Sequence, residues 1–399
     1  MANDERGGGS ALGVFGVAFK LGLTSFGGPV AHLGYFRREY VERRRWIDAA
    51  TFGDLLALGQ MLPGPASSQL GIAIGTLRAG YLGGLAAWLG FTLPSVIAMT
   101  GFALLTSNVD VASAGWVEGL KIAAVAVVAQ AVYLMARTLT PDLPRAAIAV
   151  AAAVATLLAP VATLQVLVIV AGGALGWRFL RAGPAPRPSP LRPRLDRRLG
   201  AVLLAVFALL LVALPLADRL VANQALAVVD AFYRTGALVF GSGHVVLPLL
   251  HEAVVTPGWI GDDRFLAGYG AAQAVPGPLF TFAAFLGASF TDPPNGLAGA
   301  VIALVAIFVP SFLLVWGVLP FWDRLRGSAS FASALRGTNA AVVGILLAAL
   351  ITPIATSALH SAAEVVLAVA AGLALWTGRV PPIAVVAGCA VVAQIAGMR

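Results

Sequence analysis

Apolar residues follow one another along this chain in stretches of about 17–27 residues, roughly the length that covers ~30 Å of hydrocarbon as an α-helix. They fall at 11–30, 51–78, 80–106, 116–138, 144–158 and 161–179, then at 200–216, then at 222–242, 264–290, 296–320, 334–352, 361–376 and 380–397. Lipid satisfies no backbone group and the period-2 alternation of barrel strands is missing, so each stretch predicts a helix. Between the first six and the rest, Arg181, Arg187, Arg192, Arg194, Arg197 and Arg198 alternate with Pro184, Pro186, Pro188, Pro190 and Pro193. This is an extended basic linker.

The two sets of six repeat one another. Phe19, Lys20, Gly22 and Phe26-Gly27-Gly28 are spaced as Tyr233, Arg234, Gly236 and Phe240-Gly241-Ser242. Trp46-Ile47, Phe52, Gln60 and Pro63-Gly64-Pro65 keep the intervals of Trp259-Ile260, Phe265, Gln273 and Pro276-Gly277-Pro278, and Pro94-Ser95 answers Pro310-Ser311. Chance recurrence of Gly and Pro would not carry Trp, Phe and Gln in the same order. The expected organisation is a first membrane repeat over 1–180, the linker over 181–199, a connecting transmembrane helix over 200–217 and a second repeat over 218–399.

Composition agrees with a lipid-solvated chain, since 59% of residues are hydrophobic and only 11% charged. The net charge of +8 could suggest nucleic acid. Its arginines, however, sit in short loops between apolar segments, where they act as topology signals. Cys389 is the single cysteine, which excludes an intramolecular disulfide or a cysteine metal cluster. The N-terminus has no cationic leader region, and no cleaved signal peptide is expected.

The loop charges also set orientation. The linker, the 137–145 loop with Arg137 and Arg145, and the 321–336 loop with Arg324, Arg326 and Arg336 should be cytoplasmic, whereas 107–115 and 353–360 lack Lys and Arg and should be outside. The seventh segment then inverts the second half, with the N-terminus inside and the C-terminus outside. Residues 31–50, rich in arginine, stay inside if the first two segments are re-entrant hairpins folding back at Phe26-Gly27-Gly28-Pro29 and at Pro63-Gly64-Pro65. The predicted fold is an all-α polytopic membrane protein of two inverted repeats, with nine full spans and four hairpins favoured by these charges and thirteen full spans as the alternative.

Pro-Gly-Pro inside an apolar segment must interrupt the helix, and backbone groups freed at membrane depth must line a cavity. The helices restarting after Pro65 and Pro278 carry Ser67, Ser68 and Thr281 in their first turns, and helix N-termini favour anions. Ser25, Phe26, Gly27 and Gly28, with Phe240, Gly241, Ser242 and Gly243, form the other pair of weak points. Lys20 and Arg234 either face a cavity or snorkel to the boundary. Lys121 and Glu118 suit an i,i+3 ion pair, whereas Arg336 has no acid within four residues and is a candidate ligand contact. Gln60 and Gln273 either touch substrate or cap the broken helix. His32, Glu39, His244, His251 and Glu252 are the candidate proton carriers. No catalytic motif, metal cluster or cofactor site is present in the sequence, so an enzyme is not expected.

Phe-Gly-Gly-Pro (26–29), Trp46 and Gln-x-x-Pro-Gly-Pro (60–65), repeated as Phe-Gly-Ser-Gly (240–243), Trp259 and Gln-x-x-Pro-Gly-Pro (273–278), resemble the long-chain chromate ion transporter family over essentially the whole chain. That resemblance implies efflux of chromate across the bacterial inner membrane, driven by the proton gradient, competed by sulfate and conferring chromate resistance. The second copy departs from the first, with Ser242-Gly243-His244 where Gly28-Pro29-Val30 stands. The residues themselves specify only a tetrahedral dianion, leaving a sulfate transporter or an uncoupled anion channel as alternatives. Lipid is the expected surroundings, nucleic acid is not a partner, and a homodimer is compatible with the chain.

Overall fold

The computed structural model describes residues 9–26, 28–107, 115–159, 162–180, 195–221, 223–239, 246–325 and 328–398, and all regular structure among them is helical. Helix α1 (Ala11–Thr24) starts where the Ser10 hydroxyl accepts the Gly13 N–H. After a break, α2 (Gly28–Phe36) runs into a π-helical turn, Arg37–Arg43. Asp48 caps α3 (Ala49–Met61), which ends at Pro63-Gly64-Pro65, and α4 (Ala66–Leu105) leaves from that turn. Non-helical angles at Ala79 and Gly80, the latter at φ +66°, divide α4 into two helices. The boundary falls where the sequence separates the segments 51–78 and 80–106. Then come α5 (Gly115–Leu139), α6 (Leu143–Leu158), α7 (Ala162–Phe179) and α8 (Arg197–Leu220).

The same order returns afterwards. Helices α9 (Gln224–Leu238), α10 (Val246–Val254) and α11 (Asp262–Ala274) lead to the second Pro-Gly-Pro, followed by a 3-10 turn (Leu279–Thr281), α12 (Phe282–Ala288) and α13 (Gly296–Val318). After the short α14 (Trp322–Leu325) come α15 (Ala329–Ala349), extended by a π-helical turn (Leu350–Ala355), α16 (Ala362–Trp376) and α17 (Pro382–Ile395).

The segments before each long helix run out and back. Arg78, at the end of the first part of α4, accepts the Gly9 N–H at 3.2 Å through its carbonyl, and its guanidinium lies 5.5 Å from the Trp46 ring. Residues 9, 46 and 78 thus share one level, and both 11–43 and 49–78 return to where they started. In the second half the Thr291 N–H bonds the Trp259 carbonyl at 3.0 Å, closing 262–288 in the same way. At 1.5 Å per residue, the 13 residues of α3 or α11 reach only about 20 Å, short of a bilayer core.

Among the described residues, five helical stretches are long and apolar enough to cross a membrane: Ala66–Leu105, Gly115–Leu139, Arg197–Leu220, Gly296–Phe321 and Ala329–Ala355. Helices α6, α7, α16 and α17, which the sequence reads as full spans, have 14–18 residues and reach about 21–27 Å. They lean on longer neighbours, α6 and α7 on α15 and α16 and α17 on α5, so each half braces the other. Small residues permit the closest of these approaches. A Cβ at Gly337 of α15 would run into the backbone of Gly172 and Gly176 of α7. Gly337→Leu is expected to lower stability by about 1–3 kcal/mol through overpacking, exceeding a helix-propensity gain of about 1 kcal/mol. Thermal unfolding in detergent measures it, and an unchanged midpoint would contradict this account of the crossing.

Candidate functional site

The two Pro-Gly-Pro turns meet. Gly64 N–H donates to the Val239 carbonyl at 2.6 Å, and Gly277 N–H donates to the Ser25 carbonyl at 3.0 Å. Val239 and Ser25 are matching positions, each just before its Phe-Gly turn. Each turn of one half is thus held by the matching break of the other. The proximity of serines repeats this pattern: a Cβ built on Gly64 would lie 2.7 Å from Ser311 Oγ, and one on Gly277 would lie 2.8 Å from Ser95 Oγ. Both glycines are in the left-handed region, at φ +120° and +103°.

These bonds occupy the turn amides that the sequence left free for a ligand. What remains unpaired lies beside them. Neither Pro65 nor Pro278 gives a side-chain cap to the helix it starts. Among the described residues, the buried Ser25 Oγ, Ser68 Oγ, Gln69 Oε1, Thr92 Oγ1, Gln273 Nε2 and Ser311 Oγ have no hydrogen-bond partner. Buried polar atoms are ordinarily satisfied, so several orphans around two uncapped helix starts indicate a place for a polar ligand. Gln69 Nε2 donates to the Pro63 carbonyl at 2.6 Å, which aligns its amide with the first turn.

Buried His32 joins the two breaks of the first half. Its Nε2 lies 3.2 Å from the Ser25 carbonyl and its Nδ1 lies 3.3 Å from Ser67 Oγ. A carbonyl only accepts, so Nε2 carries hydrogen and the neutral ring accepts the Ser67 hydroxyl at Nδ1. Phe91 packs edge-on against the imidazole at 5.3 Å.

The other sequence candidates are dispersed. Ser67, Thr281 and the first Pro-Gly-Pro are buried at the crossing, Phe26 adjoins it, and Thr281 Oγ1 donates to the Pro278 carbonyl at 2.9 Å. Gln60 is exposed, whereas Gln273 is half-buried. Lys20 is exposed on α1, and Arg336 is exposed on α15, near Asp142. Glu39 is buried, its carboxylate held by Arg44 at 2.7 Å and Arg43 at 3.1 Å; burial opposes its charge, but these bonds prevail and keep it below the usual carboxylate range. His251 Nε2 meets Asp262 at 2.7 Å. Gly28 is described only as the start of α2, and Gly27, Phe240, Gly241, Ser242, Gly243 and His244 lie outside the described residues.

Arg234 is gripped by Asp230 through bonds of 3.0 and 2.5 Å. Both line a cavity of about 340 Å³ with Asp218, Glu252, Thr256 and Trp259. Three carboxylates against one guanidinium already paired make that space unfavourable for a dianion. The crossing, not this cavity, is therefore the anion site candidate. Sequence reasoning left out Gln69, Thr92, Ser95 and Ser311. Two of these were within reach, because Ser95 and Ser311 stand in the repeated Pro-Ser pair.

A family model described as Chromate transporter matches residues 12–177 and again 226–394. The chain belongs to the chromate transporter family. The two matches bracket α8, which stands between the halves. Among relatives of this chromate transporter family member, a probable chromate transport protein of Synechococcus elongatus is 28% identical over 365 residues, covering 90% of this chain and 88% of the relative. The chromate transport protein of Pseudomonas aeruginosa is 29% identical over 350 residues, covering 84% and 78%. That of Cupriavidus metallidurans is 27% identical over 393 residues, covering 94% and 91%. No solved structure matches the chain.

Proposed function

We propose that the chain is a secondary transporter that exports chromate from the bacterial cytoplasm across the inner membrane in exchange for protons, and that the dianion binds at the crossing of the two Pro-Gly-Pro turns. The observation that carries this reading is the set of unpartnered buried donors there: Ser25, Ser68 and Ser311 with the Gln273 amide, beside two uncapped helix starts. Hydroxyl and amide hydrogens around a helix N-terminus suit the oxygens of a tetrahedral dianion. The family and the names of the relatives supply chromate as that dianion.

The halves are read as inverted. With the arginine-rich residues 31–50 and the linker inside, the first-half hairpins enter from the cytoplasm and the second-half hairpins from outside, bringing the turns together near the midplane. The reciprocal Gly64–Val239 and Gly277–Ser25 bonds are what such a two-fold relation would produce. Helix α11 packs on α5 and α17 of the bracing group, whereas α3 packs on α4 and the π-helical turn of its own half. We read this difference, with the exposed Gln60, as access from the cytoplasmic side. An interior-negative potential favours the exit of an anion by about 2.3 kcal/mol per charge per 100 mV.

Labelled chromate uptake by inverted vesicles tests the reading. Accumulation above empty vesicles under an imposed proton gradient, reduced by excess sulfate, is expected. Uptake equal to empty vesicles would sink it, uptake of sulfate in preference to chromate would reassign the substrate, and flux indifferent to the gradient would make the protein a channel.

A further inference from the structure

The two halves differ at the start of the Pro-Gly-Pro hairpins. Counting from the shared Trp-Ile pair, Asp263 and Arg264 stand in the second half where Ala50 and Thr51 stand in the first. Asp263 Oδ1 accepts from Lys121 Nζ at 2.9 Å, so a residue of α5 holds the first turn of α11. Arg264 donates to the Ala103 and Thr106 carbonyls at 2.8 and 2.9 Å, tying the same turn to the end of α4.

Lys121 has a second carboxylate, Glu118, one turn away on its own helix. Only 6% of Lys121 and 4% of Glu118 are exposed, so the pair is desolvated. Lys121 reaches Oε2, but Glu118 Oε1 is buried with no partner. A ligand-type oxygen or nitrogen from each of Glu118, Glu364 and His360 lies within 4.8 Å of the other two. Glu364 is satisfied as an anion, because its Oε2 accepts the N–H groups of His360 and Ser361 at the head of α16 at 2.5 and 2.7 Å. The unmatched oxygen is therefore on Glu118, next to a carboxylate that can accept a hydrogen bond. Lys121 already sits on the other oxygen. The smallest addition that satisfies the site is a hydrogen on Oε1.

We propose that Glu118 binds the coupling proton and that Lys121 relays its charge to the α11 hairpin. The proposal rests on the proton-coupled reading above. A proton passes from water through the exposed His360 imidazole to Glu118 Oε1, and the new O–H donates to Glu364. Lys121, previously shared by two carboxylates, is left with Asp263 as its charged partner, which holds α11 against α5. Loss of the proton restores Glu118 as a competitor and eases Asp263 away. Among the described residues, the other titratable and charged groups on elements packed on α5 are few. Helix α11 brings Asp262, held by His251, together with Arg264 and Tyr269. Helix α17 brings Cys389, and α15 brings Arg336, which is near Asp142 at the opposite end of α5.

The full chain in proteoliposomes allows chromate-for-chromate exchange at equal pH to be compared with accumulation driven by a pH gradient. Glu118→Gln is expected to lower the ratio of gradient-driven accumulation to exchange at least tenfold while still exchanging, and to flatten the pH dependence of exchange. A wild-type ratio in E118Q overturns the proposal with proton coupling intact. A wild-type protein that does not respond to the gradient overturns the proton-coupled reading and this site with it. If E118Q is inactive in both assays, pH-difference infrared spectra of wild type and Glu118→Asp decide. A protonated-carboxyl band that moves in E118D supports the assignment, and a band that stays, or no band, overturns it.

Discussion

Replacing Gly64 or Gly277 by alanine is expected to cut chromate uptake at least tenfold and to lower stability by about 2–4 kcal/mol. At φ +120° and +103°, an L side chain is strained by about 1–3 kcal/mol. Relaxing φ would swing the N–H away from its carbonyl, Val239 for Gly64 and Ser25 for Gly277. A new Cβ on Gly64 would also lie 2.5 Å from Gln69 Nε2, which is committed to the Pro63 carbonyl. Because each glycine holds the other half's break, the two sites form one structure, and the double variant should lose less than the sum of the singles. Thermal unfolding in detergent and vesicle uptake read the two effects. Wild-type uptake in either single variant would show that the crossing is not the transport site.

Much of this arrangement was legible in the sequence, because lipid leaves the chain few choices. Long apolar runs had to be helices, Pro-Gly-Pro had to break them, and the arginine-rich residues 31–50 favoured a chain that turned back over one that spanned; the return of residues 46 and 78 to Gly9 agrees with that turn. Spacing linked the two turns before any contact was known. The destination of the turn amides was hidden. A backbone carbonyl leaves no mark in the sequence, so nothing distinguished Val239 or Ser25 as an acceptor, and amides expected to face a ligand are instead spent on holding the halves together. Arg336 looked unpaired because only neighbours in sequence were counted, yet Asp142 approaches it from another helix. Asp230 lies one turn from Arg234, and that local pair accounts for much of the arginine's charge without a substrate.

Lys121→Met is expected to destabilise the protein by about 3–5 kcal/mol, because it leaves a buried carboxylate without its cation. Glu118 and Glu364 are both buried and lie close together, and Lys121 is the ammonium that compensates Glu118. Asp263 is less dependent on it, since nearly half of its side chain is exposed and water can replace the lost bond. The deficit should therefore follow Glu118 rather than Asp263. Combining Lys121→Met with Glu118→Gln should recover most of the loss, since an amide carries no charge to compensate, whereas combining it with Asp263→Asn should recover little. Unfolding midpoints of the three variants and wild type, measured in one detergent, complete the comparison. Equal recovery in both double variants would mean that Lys121 serves the two carboxylates alike, and Glu118 would then lose its distinction as the group whose charge the hairpin senses.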